Sequence, residues 1–303
     1  MAAPEVTCII VCFHRPESLR PALDALADPR VEVIVVNMEV DPEVAEIAAA
    51  AGVVQIPIDG DPGFATGVNL AVGQASAEYV VPMNDDLLLE LDDLFALKEL
   101  VACGEADVVL PAVLDHTGEL ELTIKPLPTL GALVREWLVF PDHPVERLEG
   151  RLHVEKWRRP TEPERVEAAG TPAMVTTKAL LREHPMPDDY FLYWEEIEWF
   201  WWLREAGKRV LYVPEITVRH LGGRSDISAL KAKFITRNAV RCVRRTQGAG
   251  PAALAAGIML LYNLRLVGTA AIRKARGREA APGELRARLA GLRETPASIR
   301  EIK

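Results

Sequence analysis

Short apolar runs alternate with amphipathic segments along the first third of this chain, and that alternation leaves few folds open. Residues 6–13 are apolar but for Thr7, and they close on His14-Arg15-Pro16. Leu19, Leu23 and Leu26 then recur at helical spacing. Residues 31–36 are largely β-branched and end at Asn37. Pro42 sits where a helix's first turn favours it, Gly52 stops that helix, and residues 53–58 give a third strand. Strands and helices of this size in alternation predict a parallel sheet with right-handed crossovers, a nucleotide-binding type of half. With 303 residues the chain can bury one large core or two smaller ones.

The next strand carries the most telling chemistry. Residues 77–83 run into Asn84-Asp85-Asp86, and apolar residues resume at Leu87-Leu88-Leu89. Carboxylates seldom interrupt such a stretch uncompensated. At a strand's carboxyl end, where open α/β sheets bind ligands, two of them suit a hard divalent cation. Mg²⁺ or Mn²⁺ would take phosphate oxygens to complete its shell. An Asp-Asp helix cap is the other reading of the same residues. The loop from Asp59 through Asp61, Gly63 and Gly67 leads into a helix bearing Asn69. It offers glycine backbone for close approach to an anion, or plain loop punctuation. The chain has neither a Walker phosphate loop nor a dinucleotide fingerprint.

A helix over residues 92–102 and a strand over 108–113 continue the pattern. Residues 129–167, rich in Pro, Arg and Trp, lose it and read as a substrate-side insertion or lid. Regular structure returns at 173–177. Tyr193-Trp194-Glu195-Glu196-Ile197-Glu198 then sets three carboxylates beside aromatics. On a helix Glu195 and Glu198 share a side, while Glu196 points roughly 100° away from Glu195. A carboxylate in such a setting suits a general base; an acidic first helical turn favoured by the helix dipole is the alternative. Gly207 stops the helix and residues 210–213 form a strand. His220 falls just before Gly222-Gly223, which fits a metal or phosphate ligand.

Charge is unevenly spread. From Lys231 to Lys303 there are 16 Lys and Arg against 4 Asp and Glu, a net of +12, so the remainder carries −21 of the overall −9. The acidic balance argues against nucleic acid as a partner, while the basic tail suits an anionic membrane surface. Cys8, Cys12, Cys103 and Cys242 show neither zinc-ligand spacing nor a disulfide framework, and Cys8 and Cys12 read as inert core thiols. No basic, apolar leader opens the sequence, so a cytoplasmic location is expected, peripheral at most to the inner face of the membrane. The apolar run over residues 252–262 is too short to span a bilayer, which takes roughly 20 residues. With Arg265, Arg273, Lys274, Arg276 and Arg278 behind it, it reads as an interfacial helix; packing onto the catalytic domain or into a homodimer is the other reading.

In this order the motifs resemble the family-two inverting glycosyltransferases with the GT-A fold, particularly rhamnosyltransferase-like bacterial members. His14-Arg15-Pro16-Glu17, the stretch from Pro62 to Asn69 and Asn84-Asp85-Asp86 carry the resemblance. So do Phe191-Leu192-Tyr193-Trp194-Glu195-Glu196 and the segment from Val213-Pro214 through His220 to Ser225. Arg237-Asn238 and the basic, Leu/Ala-rich C-terminal helices match the type as well. The resemblance implies an α/β, GT-A architecture: a mostly parallel central sheet flanked by helices, with a helical C-terminal extension. Residues 1–226 would form the transferase domain, with 129–167 as insertion or lid, and 227–303 the extension. It also implies displacement at an anomeric carbon with inversion. Asp86, with Asp85 and His220, would hold Mg²⁺ or Mn²⁺, and Glu196 would be the base, paired with Glu195. His14, Arg15, Asn37, Asp61, Gly63, Asn69, Asn84 and Asp85 would hold the nucleotide sugar. The partners are then a nucleoside diphosphate sugar and a glycan, lipid-linked or small-molecule acceptor, most naturally in cell-envelope biosynthesis.

Three positions depart from the family pattern. Asn37-Met38-Glu39 stands where Asp, Asn and a Gly-Ser turn are common, Glu196 is one methylene longer than the usual Asp, and Trp202 replaces a frequent Arg. A catalytically silent nucleotide-sugar-binding or scaffold protein of the same fold is the rival from another class. A sugar nucleotidyltransferase would need a glycine loop after the first strand, which His14-Arg15-Pro16-Glu17-Ser18 lacks.

Overall fold

The computed structural model describes residues 3–13, 16–139, 155–170, 172–222, 229–277 and 283–300. Its centre is a nine-stranded sheet. The first half is the alternation the sequence dictates: β1 (Val6–Cys12), α1 (Pro16–Ala25), β2 (Val31–Met38), α2 (Pro42–Ala51), β3 (Val54–Ile58), α3 (Phe64–Gln74) and β4 (Tyr79–Asn84). β3, β2, β1 and β4 lie side by side and parallel. Asp41 starts α2 by accepting from the amides of Glu43 and Val44, and Gly52 ends it in a left-handed conformation.

The second half mixes directions. It comprises β5 (Leu87–Leu88), α4 (Leu91–Ala102), β6 (Val108–Leu114), β7 (Ile124–Lys125), α5 (Leu130–Leu133), β8 (Glu164–Arg165), β9 (Ala168–Ala169), β10 (Val175–Thr177), α6 (Lys178–Glu183), α7 (Glu195–Glu205) and β11 (Val210–His220). β10 slots antiparallel between β4 and β6, β6 pairs parallel with β11, and β5 and β8 pair antiparallel with β11. β7 and β9 make a separate ribbon. The C-terminal part is α8 (Ala229–Gln247), α9 (Ala249–Ala275) and α10 (Glu284–Arg300).

Every residue of β1 is buried, as a strand covered on both faces requires. Its alternation sorts two cores. Cys8, Ile10 and Cys12 pack with α1, α2 and α4, whereas Ile9 and Val11 join the side occupied by α3, α7, α8 and α9. The buried Cys8 thiol is pushed up to about 12 by desolvation, consistent with an inert core thiol.

Two expectations change. The strand read as residues 210–213 continues to His220, because a bulge between Val213 and Thr217 absorbs Pro214 and lets pairing with β6 resume. The apolar run over 252–262 is only part of α9, whose 27 residues are long and apolar enough to cross a membrane by length and composition. One face of α9 is nonetheless buried, through Ala252, Ala255, Met259, Tyr262, Leu266 and Ala270. The irregular region begins with α5 and a π-helical turn (Val134–Val139) and ends in β8, which joins the main sheet.

Candidate active site

Parallel register brings the ends of β1, β2 and β4 to one edge, with Cys12 opposite Asn37 and Val11 opposite Asn84. Asp85 and Asp86 follow directly and are buried. The Phe13 amide donates to Asp85 Oδ2 at 3.0 Å, which fixes that carboxylate against the end of β1. His220 arrives from the far side of the sheet. It lies opposite Leu87 in the β11–β5 pair, and the Leu221 amide donates to the Asp86 carbonyl at 2.7 Å. This places His220 Nε2 3.1 Å from Asp86 Oδ2 across 134 residues of sequence.

The other ring nitrogen, Nδ1, lies 2.9 Å from Glu121 Oε1. Hydrogen bonds to Asp86 and then Glu121 raise the imidazole to about 10, against the opposing effect of burial. Once Nε2 gives up its proton to an arriving cation, the Asp86 carboxylate and an imidazole oriented by Glu121 are a donor set that fits Mn²⁺ or Mg²⁺. Among the described residues no three His, Cys, Asp or Glu side chains form a complete cage, so remaining ligands would come from substrate phosphates and water.

The glycine loop is built for close packing. The Gly63 amide donates to Asp61 Oδ1 at 3.0 Å, and Gly63 opens α3 at φ 94°, ψ 164°, a region essentially reserved for glycine. A Cβ there would sit 2.5 Å from the Phe191 carbonyl oxygen, so this loop lies directly against the segment leading to the acidic pair. Asn69 continues the contact: its Nδ2 donates to the Met186 carbonyl at 2.8 Å, and its Oδ1 accepts from the Met186 amide at 3.1 Å. The buried Asn37 likewise exchanges both amide ends with Asp41 backbone, bracing the left-handed turn at Glu39 and Val40. Asn84 donates its amide to the Pro172 carbonyl at 2.9 Å. His14 and Arg15 lie outside the described residues.

Glu195 and Glu196 open α7 immediately after two non-glycine residues at positive φ, Tyr193 at 64° and Trp194 at 80°. Such strained backbone persists only where its surroundings hold it. Burial raises both carboxyl groups above the ordinary carboxylate range. The shift is larger for Glu195, which also feels the charge of Glu196. Backbone hydrogen bonds and the nearby Lys125 ammonium hold Glu196 down. Two buried carboxyl groups side by side favour holding a proton over ionising together. Glu195 Oε2 and Glu196 Oε2 are buried without a hydrogen-bond partner among the described residues. Unspent buried acceptors of this kind fit a site that a ligand completes.

Glu198 has another task. Buried, it accepts from the Tyr190 hydroxyl, from Trp202 Nε1 at 3.2 Å and from Arg245 Nε at 2.8 Å, anchoring α7 to α8. Trp202, at the position of the frequent Arg, thus makes one of these bonds.

Gly170 approaches the acidic pair, and Pro172 approaches the acidic motif. A Cβ on Gly170 would lie 3.6 Å from both Glu196 Oε1 and Lys125 Cε, and Pro172, two residues on, accepts from Asn84. Glu121 and Lys125 were not legible as site residues. Glu121 is 99 residues from His220 and lies outside any apolar run that would mark it in the sequence.

Residues 7–158 match glycosyl transferase family 2, and the chain belongs to that family. No curated protein matches it by sequence. Among solved structures it is similar to the mannosyltransferase PcManGT from Pyrobaculum calidifontis, determined with GDP-Man and Mn²⁺. That similarity has a TM-score of 0.54 and 12% identity, and covers 99% of this chain and 88% of the other. It is also similar to GalNAc-T7 with UDP, GalNAc and Mn²⁺, at a TM-score of 0.58 and 14% identity. There 94% of this chain aligns with 56% of the larger enzyme. At these identities the likeness is one of fold.

Proposed function

We propose that the chain is a metal-dependent, inverting glycosyltransferase that moves a sugar from a nucleoside diphosphate sugar to an acceptor hydroxyl in cell-envelope glycan or glycoconjugate assembly. The observation that supports it best is the approach of His220 Nε2 to Asp86 Oδ2, which joins two residues 134 apart in sequence at the sheet edge where Asp85 also lies. Asp86 and His220, with Asp85 beside them, would hold Mg²⁺ or Mn²⁺, which when bound supplies positive charge against a departing diphosphate. Glu196 takes the proton of the acceptor hydroxyl as its oxygen bonds to the anomeric carbon and the bond to the diphosphate breaks. Glu195, buried beside it and raised by that burial, positions Glu196. The loop from Asp61 to Asn69 and the turn braced by Asn37 form the nucleotide side.

Incubation with a panel of nucleoside diphosphate sugars and Mn²⁺, followed by NMR of the released or transferred sugar, tests this. Turnover with an inverted anomeric product supports it, and the absence of donor turnover across the panel overturns it.

We further propose that α9 lies in the interface of an anionic membrane, bringing a soluble donor to a lipid-linked acceptor. Leu254, Leu261, Leu264 and Ile272 form an exposed ridge along it, opposite its buried face. Arg273, Lys274 and Arg276 are exposed at its end, Arg273 also pairing with Glu284 at 3.0 Å, and their net positive charge is complementary to anionic lipid. Arg278 lies outside the described residues. An in-plane pose keeps the packing of α9 on α8 and α10, including the Asn263 Nδ2 bond to Thr236 Oγ1 at 3.0 Å. Co-sedimentation with phosphatidylglycerol vesicles that weakens with salt is the expected result. Concentration-dependent dimers without vesicle binding would assign the ridge to a second copy of the chain instead.

A further inference from the structure

The pair Glu195–Glu196 stands on backbone that L-residues avoid. Tyr193 and Trp194 are consecutively left-handed, and Trp194, as the residue preceding α7, contributes no side-chain cap. Each such residue is costly unless its surroundings fix it. Three elements converge on this turn. Gly63 abuts the Phe191 carbonyl from the donor side. Trp137, on the π-helical turn, stacks on Trp194 with ring centroids 5.9 Å apart and meets Tyr262 of α9 edge-on at 4.7 Å. The third is Asn238 of α8, which is buried and points both hydrogens of Nδ2 at the turn. They reach the Leu192 carbonyl at 2.8 Å and the Tyr193 carbonyl at 3.0 Å.

We propose that Asn238 is a positioning residue for the catalytic pair, its amide locking the left-handed turn that aims Glu195 and Glu196. This rests on the transferase reading above, and it makes α8 a working part of the site. Geometry favours a donor role over space filling. Both bonds run from the same nitrogen to adjacent carbonyls, which a carboxylate of identical shape cannot satisfy and would repel. Loss of the clamp lets the turn relax, so the pair samples other directions. Misplacement on the ångström scale costs turnover, whereas the donor is held by other residues.

The test uses the full chain with Asn238→Ala, Asn238→Ser and Asn238→Asp. Turnover is measured with the donor the wild type accepts, and hydrogen exchange is followed by mass spectrometry in peptides spanning 190–198. For Ala and Asp we expect kcat to fall at least about tenfold while donor KM stays within about threefold, with Ser intermediate because it keeps one donor. Exchange should quicken in the 190–198 peptides and remain unchanged in β1 and β4. Wild-type kcat in a folded Ala or Asp variant would overturn the proposal. So would general unfolding of all three variants, since Asn238 would then support the molecule rather than the pair. A wild type inert toward every donor defeats the transferase reading, yet the exchange result still decides whether Asn238 holds the turn.

Discussion

Gly60 and Gly63 occupy one loop, and replacing each by Ala separates backbone strain from steric collision. Both have positive φ, 83° and 94°. Around Gly60 a Cβ would meet nothing within 4 Å, so Gly60→Ala costs only the left-handed penalty, about 1–2 kcal/mol. At Gly63 a Cβ would come within 2.5 Å of the Phe191 oxygen, 2.9 Å of the Tyr190 oxygen and 3.2 Å of the Phe191 carbonyl carbon. All three are backbone atoms, so no rotamer change relieves the clash and the loop must part from residues 190–191. Adding an overpacking cost of about 1–3 kcal/mol to the strain brings Gly63→Ala to about 4 kcal/mol. Thermal unfolding followed by circular dichroism reads the difference. At roughly 2 °C per kcal/mol for a chain of this size, Tm should drop by about 3 °C for Gly60→Ala and about 8 °C for Gly63→Ala. Equal drops would refute the contact between the donor loop and the segment leading to the acidic pair.

Glu196→Gln should lower turnover by about a hundredfold or more with donor binding kept, while Glu195→Gln, which retains a hydrogen-bond donor, should leave a larger residual rate. The reverse order in single-turnover kinetics would exchange the two roles. Because burial raises Glu196, the acid limb of kcat/KM should lie above the ordinary carboxylate range near 4.3, with activity falling as pH drops through it. Lys125→Met should move that limb further up, since the ammonium favours the ionised form; an unmoved limb would show that Lys125 does not act on the base. Glu195, raised in the folded state, contributes stability that is present below its unfolded pKa and lost as pH rises through its folded value. Urea unfolding of the wild type should accordingly weaken across that window, and Glu195→Gln should flatten the dependence.

The sheet was legible because its strands obey a simple period. Residues 6–13 and 31–36 are apolar on both faces, and Pro42 and Gly52 punctuate one helix cleanly. The acidic motif at Asp85-Asp86 was visible because charge interrupts an apolar run. What escaped depends on long-range register. Pro214 and Glu215 look like a strand's end, yet β11 resumes past its bulge, and only that continuation carries His220 to Asp86. The family resemblance assigns Asn69 and Asn37 to the nucleotide. In the fold Asn37 lies near the end of β2 and Asn69 on α3, and their amides also brace the backbone of Asp41 and Met186. Glu198 looked equivalent to its acidic neighbours until the helix phase turned it toward Arg245. Asn238 gave no signal beyond a family-like dipeptide, because its partners are carbonyls about 45 residues upstream.

The central claim is that Asp86 and His220 make this sheet edge a metal-assisted binding site for a nucleoside diphosphate. Calorimetric titration of the wild type and Asp86→Asn with GDP and UDP, each in Mn²⁺ and in excess chelator, tests it most directly. The account predicts binding of at least one nucleotide by the wild type in Mn²⁺, lost in chelator and lost in Asp86→Asn. Equal binding in chelator, or undiminished Mn²⁺-dependent binding by Asp86→Asn, would contradict it.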